Sequence, residues 1–327
     1  MKPVIVADIG GTNARFGLAT AFDAKSGRVT IEQKRQYLSA DFAAFDDVFA
    51  CYRESLGALK PVSACVAIAG PIKGHQVSMT NLNWCISGPE MCRSFGLDHF
   101  EAINDYTALV YATLFLDASS LLTICEGVVN PTATRCIVGP GTGLGVSAIA
   151  PCNGRWVTLS GEGGHITLAS TGSYENQLIN YIAPEHGKVS AETVLSGPGI
   201  RRLYKAVCAI EGYPESARTP EEITRAALSA SDPAATAALA MFCRLLGGML
   251  GDMILAFGAE GGAFLAGGIL PRITTILKQS AFEHCLKDKG VMSHYLDDVN
   301  VALITADDAA LVGATAWSCS GLERRGK

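Results

Sequence analysis

Two glycine-rich turns constrain this chain more than any other feature. The first is Asp8-Ile9-Gly10-Gly11-Thr12-Asn13-Ala14-Arg15. It follows the β-rich run Val4-Ile5-Val6-Ala7 and leads into Phe16-Gly17-Leu18-Ala19. The second, Gly139-Pro140-Gly141-Thr142-Gly143-Leu144-Gly145, follows Cys136-Ile137-Val138 and leads into Val146-Ser147-Ala148-Ile149. A strand, a glycine turn and a second strand read as a β-hairpin. Adjacent glycines in such a turn let backbone N–H groups approach an anion closely. The recurrence predicts a duplicated α/β unit. At 327 residues the chain is long enough for two domains, each with its own core.

The stretches around the turns fit that reading. Val29 to Leu38 is a third strand, and Asp41 to Leu56 is a helix with Phe42, Phe45, Val48, Phe49 and Tyr52 on one face. Ala64 to Ala69 is a buried strand. Ser87, with Glu90 three residues on, predicts a capping box. Phe100 to Ile103 is a strand, and Asn104-Asp105 opens a helix to about Leu116. In the second half, Asn153-Gly154 predicts a tight hairpin with Trp156 to Leu159 as the return strand. Helices dominate from about Ser190 to Phe257, with start signals at Thr219-Pro220-Glu221-Glu222 and Asp232-Pro233. Ala263 to Ala266 and Val299 to Thr305 are strands, and Ala309 to Cys319 is a final helix.

Composition closes off several function classes. A net charge of -5 argues against a strongly basic nucleic-acid binder. No apolar run reaches the roughly 18 residues needed to span a bilayer, since Asp252 and Glu260 break Leu245 to Leu270. Lys2 and Asp8 interrupt the opening apolar stretch, so it does not read as a signal peptide, and Glu323-Arg324-Arg325-Gly326-Lys327 carries no lipidation box. No nucleic acid and no membrane are expected as partners. The 11 cysteines are irregularly spaced and contain no C-x-x-C, which argues against a zinc site or disulfide framework and for the cytoplasm.

Five segments carry chemistry. In the first turn, Thr12 and Asn13 add donors, Arg15 adds charge, and Asp8 is placed to hold Mg2+ through water. The second turn contains a loose dinucleotide fingerprint, but the chain runs on into a strand where a dinucleotide fold needs a helix. A phosphate loop between two strands fits better. Gly267-Gly268 ends a strand before a helix and can cradle a flat ring or a ribose. Asn104-Asp105 lies where α/β proteins bind ligands, and a carboxylate there can accept a hydroxyl proton, although both residue types also favour helix caps. Glu162 and His165 flank two glycines in a polar loop and can hydrogen-bond vicinal hydroxyls of a sugar. Glu192, near another helix start, is either a further ligand or a first-turn acid favoured by the helix dipole.

Together these segments resemble the bacterial glucokinase family, of the hexokinase/actin-like ATPase superfamily. The matching stretches are ADIGGTNARFGLA, VAIAGPI, VSMTNLNW, INDYTA, GPGTGLGVS, SGEGGHITLA, GKVSAETVLSGPGI and FLAGGILPR, in family order over nearly the whole chain. The resemblance implies a two-domain α/β fold, actin-like (ribonuclease H-like), with a cleft between the domains. It implies a small domain of residues 1–107 plus 303–327, because the family's last strand and helix return to it, and a large domain of residues 108–302. By motif, Asp105 is the catalytic base, and Asn104, Asp105, Glu162, His165 and Glu192 bind glucose. Ala7, Asp8, Ile9, Gly10, Gly11 and Thr12, with Gly139, Gly141, Thr142 and Gly143, hold the phosphates of ATP. Gly267 and Gly268 line the adenosine site. The related ROK sugar kinases share the E-x-G-H motif, present here, but their cysteine-rich zinc motif is absent, and a chain that opens on its first strand leaves no room for the DNA-binding domain of ROK repressors. Pro140 departs from a pure phosphate loop, because it removes one N–H donor.

The expected activity is transfer of the γ-phosphoryl group of Mg-ATP to the 6-hydroxyl of D-glucose, the first step of glycolysis, by a homodimer. A kinase for another hexose or amino sugar, or a sugar-responsive regulator without catalysis, are the alternatives.

Overall fold

The computed structural model describes residues 2–23, 26–70, 72–74, 76–79 and 82–325, with side chains through Ser320. Pro71, Thr80 and Asn81 of the quoted motifs, and Gly326 and Lys327, lie outside the described residues. The chain divides into two compact units, Met1–Ser120 with Ala306–Lys327, and Leu121–Thr305.

In the first unit, β1 (Val4–Ile9) pairs antiparallel with β2 (Asn13–Asp23), which pairs antiparallel with β3 (Arg28–Leu38). After α1 (Phe45–Ser55) the chain returns as β4 (Ser63–Ile68), parallel to β1. The short strands β5 (Ile72–Lys73), β6 (Gln76–Ser78) and β7 (Cys85–Ser87) form a small separate sheet. Then come α2 (Gly88–Phe95), β8 (His99–Asn104), parallel to β4, and α3 (Asp105–Ala112). The main sheet has the order β3-β2-β1-β4-β8.

Strand β1 is buried on both faces, which is why it reads as an unbroken apolar run. Ile5, Ala7 and Ile9 face α1, whose Phe45, Val48, Phe49 and Tyr52 form the helical stripe. Phe16 of β2 anchors this face, 4.9 Å from the Tyr52 ring centroid and nearly parallel to it. Val4 and Val6 point the other way.

The second unit opens with β9 (Leu121–Cys125), then β10 (Arg135–Pro140), β11 (Leu144–Cys152) and β12 (Arg155–Ser160). Asn153 and Gly154 both have positive φ, 50° and 74°, the two-residue turn expected between β11 and β12. A helical layer follows: α4 (Ser173–His186), α5 (Ala191–Val194), α6 (Gly197–Glu211), α7 (Pro220–Leu228) and α8 (Pro233–Phe257). The unit ends with β13 (Ala263–Leu265), α9 (Thr274–Gln279), α10 (Phe282–Lys287), α11 (Ser293–Leu296) and β14 (Val301–Ile304). Its sheet has the order β12-β11-β10-β13-β14-β9. Without the edge strand β9, this is the strand order of the first unit, so the recurring glycine turns mark a recurring topology.

The chain then passes back to the first unit as α12 (Ala309–Arg325). Ala310, Leu311 and Ala314 cover the Val4 and Val6 face of β1 together with Ala108 of α3. Gly313 lets the two helices touch: an added Cβ would stand 1.9 Å from the Ala108 carbonyl oxygen.

Several expectations need correction. The final strand does not return to the first unit with the final helix. β14 pairs in parallel with β13, and all four of its residues are buried in the second sheet. Helix α3 stops at Ala112, and its packing on α12 keeps residues beyond 107 in the first unit. Ser87 precedes α2, but its side chain makes no capping hydrogen bond. Helix α1 begins at Phe45, after a short 3-10 turn at Ser39–Asp41. Against the expectation of no such run, helix α8 is long and apolar enough to cross a membrane by length and composition. Its apolar side chains are spent on the core of the second unit, where Phe242, Leu246, Leu250 and Ile254 are fully buried.

Candidate active site

In the first unit β1, β4 and β8 are parallel, so their C-terminal ends share one edge of the sheet. Ile9, Ile68 and Asn104 are level in register. With strands about 4.8 Å apart, Ile9 and Asn104 lie about 10 Å from one another. The Gly10-Gly11-Thr12 turn begins one step past Ile9, and Asp105 lies one step past Asn104. Gly10 N donates to Asn13 O at 2.9 Å, Ser39 Oγ to Gly10 O at 3.0 Å, and Ser39 N to Thr12 O at 2.9 Å. Gly10 does not have positive φ, and a Cβ there would meet only Asn13 O, at 3.5 Å, so its conformation does not need glycine. What glycine supplies here is a bare backbone.

Asp8 points from β1 toward its cross-strand partner Arg15, whose guanidinium lies 3.3 Å from its Oδ2. Burial pushes the Asp8 carboxyl up from its ordinary value, and the Arg15 charge and hydrogen bond act against that. Asn104 is the N-cap of α3: its Oδ1 accepts from Tyr106 N at 3.0 Å and Thr107 N at 3.2 Å. Asp105 is therefore the first residue inside the helix, and its Oδ1 also accepts from Tyr106 N, at 3.0 Å. Asn104 takes two backbone N–H groups of the helix end, and Asp105 shares one of them. Burial, with the charges of Asp105 and Asp8 nearby, pushes the Tyr106 phenol well up and keeps it protonated.

In the second unit, Glu162 immediately precedes a 3-10 turn, Gly163–His165, that ends on His165. The turn lies against β11. A Cβ on Gly164 would stand 2.1 Å from Leu144 O, and one on Gly163 2.8 Å from Val146 Cβ. Both glycines are there so that the loop can lie on the strand. His165 and Glu162 remain exposed. Beyond His165 the chain pairs with the segment before α5: Thr167 bridges Ser190, and Ala191 N donates to Ile166 O at 2.9 Å. This brings Glu192 Oε1 to 3.9 Å from His165 Nδ1. Glu192 Oε2 also accepts from Leu144 N at 2.8 Å, which ties the second glycine turn to the same cluster. Gly143 has no room for a side chain, since its Cβ would meet Glu192 Oε2 at 2.5 Å.

The second glycine turn and Gly267-Gly268 end the adjacent parallel strands β10 and β13. Gly267 has φ +90° and lies against the Pro140 carbonyl, where a Cβ would stand 2.3 Å from the oxygen. Val138 is the last β10 residue in that ladder, so Pro140 lies beyond it and no β13 acceptor is left waiting for its missing N–H. Gly197, at the start of α6, donates to Gly141 O at 2.8 Å. A cavity of about 330 Å3 adjoins this junction, lined by Gly197, Ile200, Ile269 and Arg272, and on its far wall by Thr224 and Arg225 of α7. The α7 wall was not anticipated from sequence.

The structure therefore groups the candidate residues into two sets. Asp8, the first glycine turn, Asn104 and Asp105 share a sheet edge in one unit. Glu162, His165, Glu192, the second glycine turn and Gly267-Gly268 are joined by hydrogen bonds and chain proximity in the other. Among the described residues no three His, Cys, Asp or Glu side chains form a metal-binding group. Asp8, a hard oxygen donor, suits a hydrated cation whose other ligands come from a bound phosphate.

The fold is that of the actin-like sugar kinases. A ROK family glucokinase from Streptomyces griseus, solved with glucose and AMPPNP, matches at a TM-score of 0.65 and 19% identity over 96% of this chain and 98% of that one. A crystallographic glucokinase from an Antarctic psychrotroph matches at a TM-score of 0.89 and 41% identity, over 97% of this chain and 98% of that one. In sequence, glucokinase of Saccharophagus degradans is 43% identical over 97% of this chain and 98% of its own length. Glucokinase of Chromobacterium violaceum is 38% identical over 99% and 91%. The Glucokinase family model matches residues 5–320. The chain belongs to the glucokinase family.

Proposed function

We propose that this chain transfers the γ-phosphoryl group of ATP to the 6-hydroxyl of D-glucose. The observation that carries the reading is the arrangement of Asn104 and Asp105 at the start of α3, in a chain 43% identical to a glucokinase. Asn104 caps the helix, and Asp105 presents a carboxylate whose rotation Tyr106 N fixes. The 6-hydroxyl oxygen forms the new O–P bond as the bond from the γ-phosphorus to the β,γ-bridging oxygen breaks. ADP leaves with that electron pair, and Asp105 takes the hydroxyl proton.

Glu162, His165 and Glu192 align the sugar from the second unit, and the Asn104 amide adds a donor from the first. The backbone of residues 7–12 and of Gly139, Gly141, Thr142 and Gly143 faces the phosphates, and Arg15 supplies positive charge beside them. The adenosine lies along Gly267-Gly268, its base in the cavity walled by Ile269 and α7. Mg2+, held by the phosphates and through water by Asp8, offsets negative charge on the transferring group when bound. In this reading bound sugar is shielded from water, and the protein works as a cytoplasmic homodimer. A coupled ADP-release assay across a panel of hexoses and amino sugars tests it. Glucose is expected to be the best acceptor, and turnover that is independent of sugar would overturn it.

A further inference from the structure

Strands β2 and β3 pair end to end, but their ladder is irregular at two places, and at one of them β3 carries an extra residue. Leu18 faces Glu32 and Phe16 faces Arg35, so two steps along β2 are matched by three along β3. Gln33 lies in this bulge with φ +51°, a left-handed conformation that a residue with a Cβ seldom adopts. Its carbonyl is held by the Tyr52 hydroxyl, which donates to it at 3.2 Å.

The bulge restores the register of the hairpin end: an extra β2 residue between Ala19 and Ala21 shifts the ladder one way, and the extra β3 residue shifts it back before Arg15. Gln36 faces Arg15, and Arg15 faces Asp8. Three side chains on three neighbouring strands form one row at the first glycine turn. Arg15 Nε donates to Gln36 Oε1 at 3.3 Å, and Gln36 Nε2 donates to Asn13 Oδ1 at 2.9 Å. Gln36 is thus braced by the turn it serves. It is also neutral, so it orients the guanidinium without cancelling its charge.

We propose that Gln36, opposite Arg15 in the β2–β3 ladder, is a positioning residue for phosphoryl transfer, acting through Arg15. The assignment rests on the kinase reading above. Arg15 is a long side chain on a half-exposed surface, and a phosphate-facing charge displaced by an ångström loses much of its effect in the transition state. A neutral acceptor on the flank away from Asp8 fixes the guanidinium from two sides.

The test compares Gln36→Leu, which removes the acceptor, with Gln36→Glu, which keeps it. Position 36 is exposed, so both variants should melt within about 2 °C of the wild type. Gln36→Leu is expected to lower kcat about ten- to a hundredfold with KM for glucose unchanged. Gln36→Glu is expected to hold kcat within about threefold while raising KM for ATP, since its charge competes with phosphate for Arg15. Wild-type kcat in Gln36→Leu, or an equal loss of kcat in both variants, overturns the assignment. A fall in melting temperature that tracks kcat overturns it too, by assigning the residue to the fold. If the wild-type chain releases no ADP in response to glucose, the parent reading fails first and this one with it.

Discussion

Asn104 and Asp105 meet the same helix end in different ways, and substitutions should separate them. Asp105→Asn keeps the shape of the side chain and leaves the cap on Asn104 untouched. It is expected to lower kcat by about 10²–10⁴-fold with an unchanged melting temperature, as removal of a general base does. Near-normal turnover would remove Asp105 from the reaction. The sugar cluster of the second unit behaves differently. Glu162→Gln or His165→Ala should each cost about 1.5–3 kcal/mol of glucose affinity and leave ATP affinity largely intact, because each loses a charged or polar hydrogen bond to the sugar alone. Titration calorimetry with each ligand separately checks this, and a collapse of ATP binding would place the loop on the wrong ligand.

Glycines in the second turn and its neighbour serve different ends, and the element that holds them predicts the difference. Gly267 combines φ +90° with contact against the Pro140 carbonyl, so Gly267→Ala should destabilise the protein by about 1–3 kcal/mol and weaken ATP binding. A Cβ at Gly141 would meet nothing within 4 Å. Gly141→Ala should therefore leave the urea midpoint unchanged and weaken only ATP binding; unchanged ATP affinity would remove this turn from the phosphate site. Elements with local punctuation were legible in the sequence. Asn153-Gly154 turns as expected, and Thr219 and Asp232 cap α7 and α8 through their side chains. Strands β5, β6 and β7 were not legible, being only two or three residues long, nor was β9, whose partner β14 lies far away in sequence. Nor was the bulge, since no glycine or proline interrupts Arg28–Leu38. The site divides along the same line. Its glycine turns, acids and histidine stand out by residue type, whereas Thr224 and Arg225 are ordinary residues of an amphipathic helix, and only packing brings α7 to Ile269.

Glucose should act on the molecule as a whole. A ligand that binds only the folded chain stabilises it by about 2.7 kcal/mol at a hundredfold excess over Kd. Glucose alone is expected to raise the melting temperature and to reduce the radius of gyration in solution scattering. A non-substrate sugar of similar size should do neither, and Asp105→Asn should respond as the wild type does. Superimposable scattering curves with and without saturating glucose would rule out closure, whatever the turnover. The division of the first unit around the second bears on how the molecule is made. Its sheet has Val4, Val6, Ala19, Cys65 and Ala67 on the face that α12 covers, yet α12 leaves the ribosome only after the whole of Leu121–Thr305. At roughly 5–20 residues per second that interval is on the order of ten to forty seconds. The continuous second unit can finish folding during synthesis, while in the nascent first unit α3 alone covers this sheet face, and the part left for α12 is open to chaperones before that helix arrives.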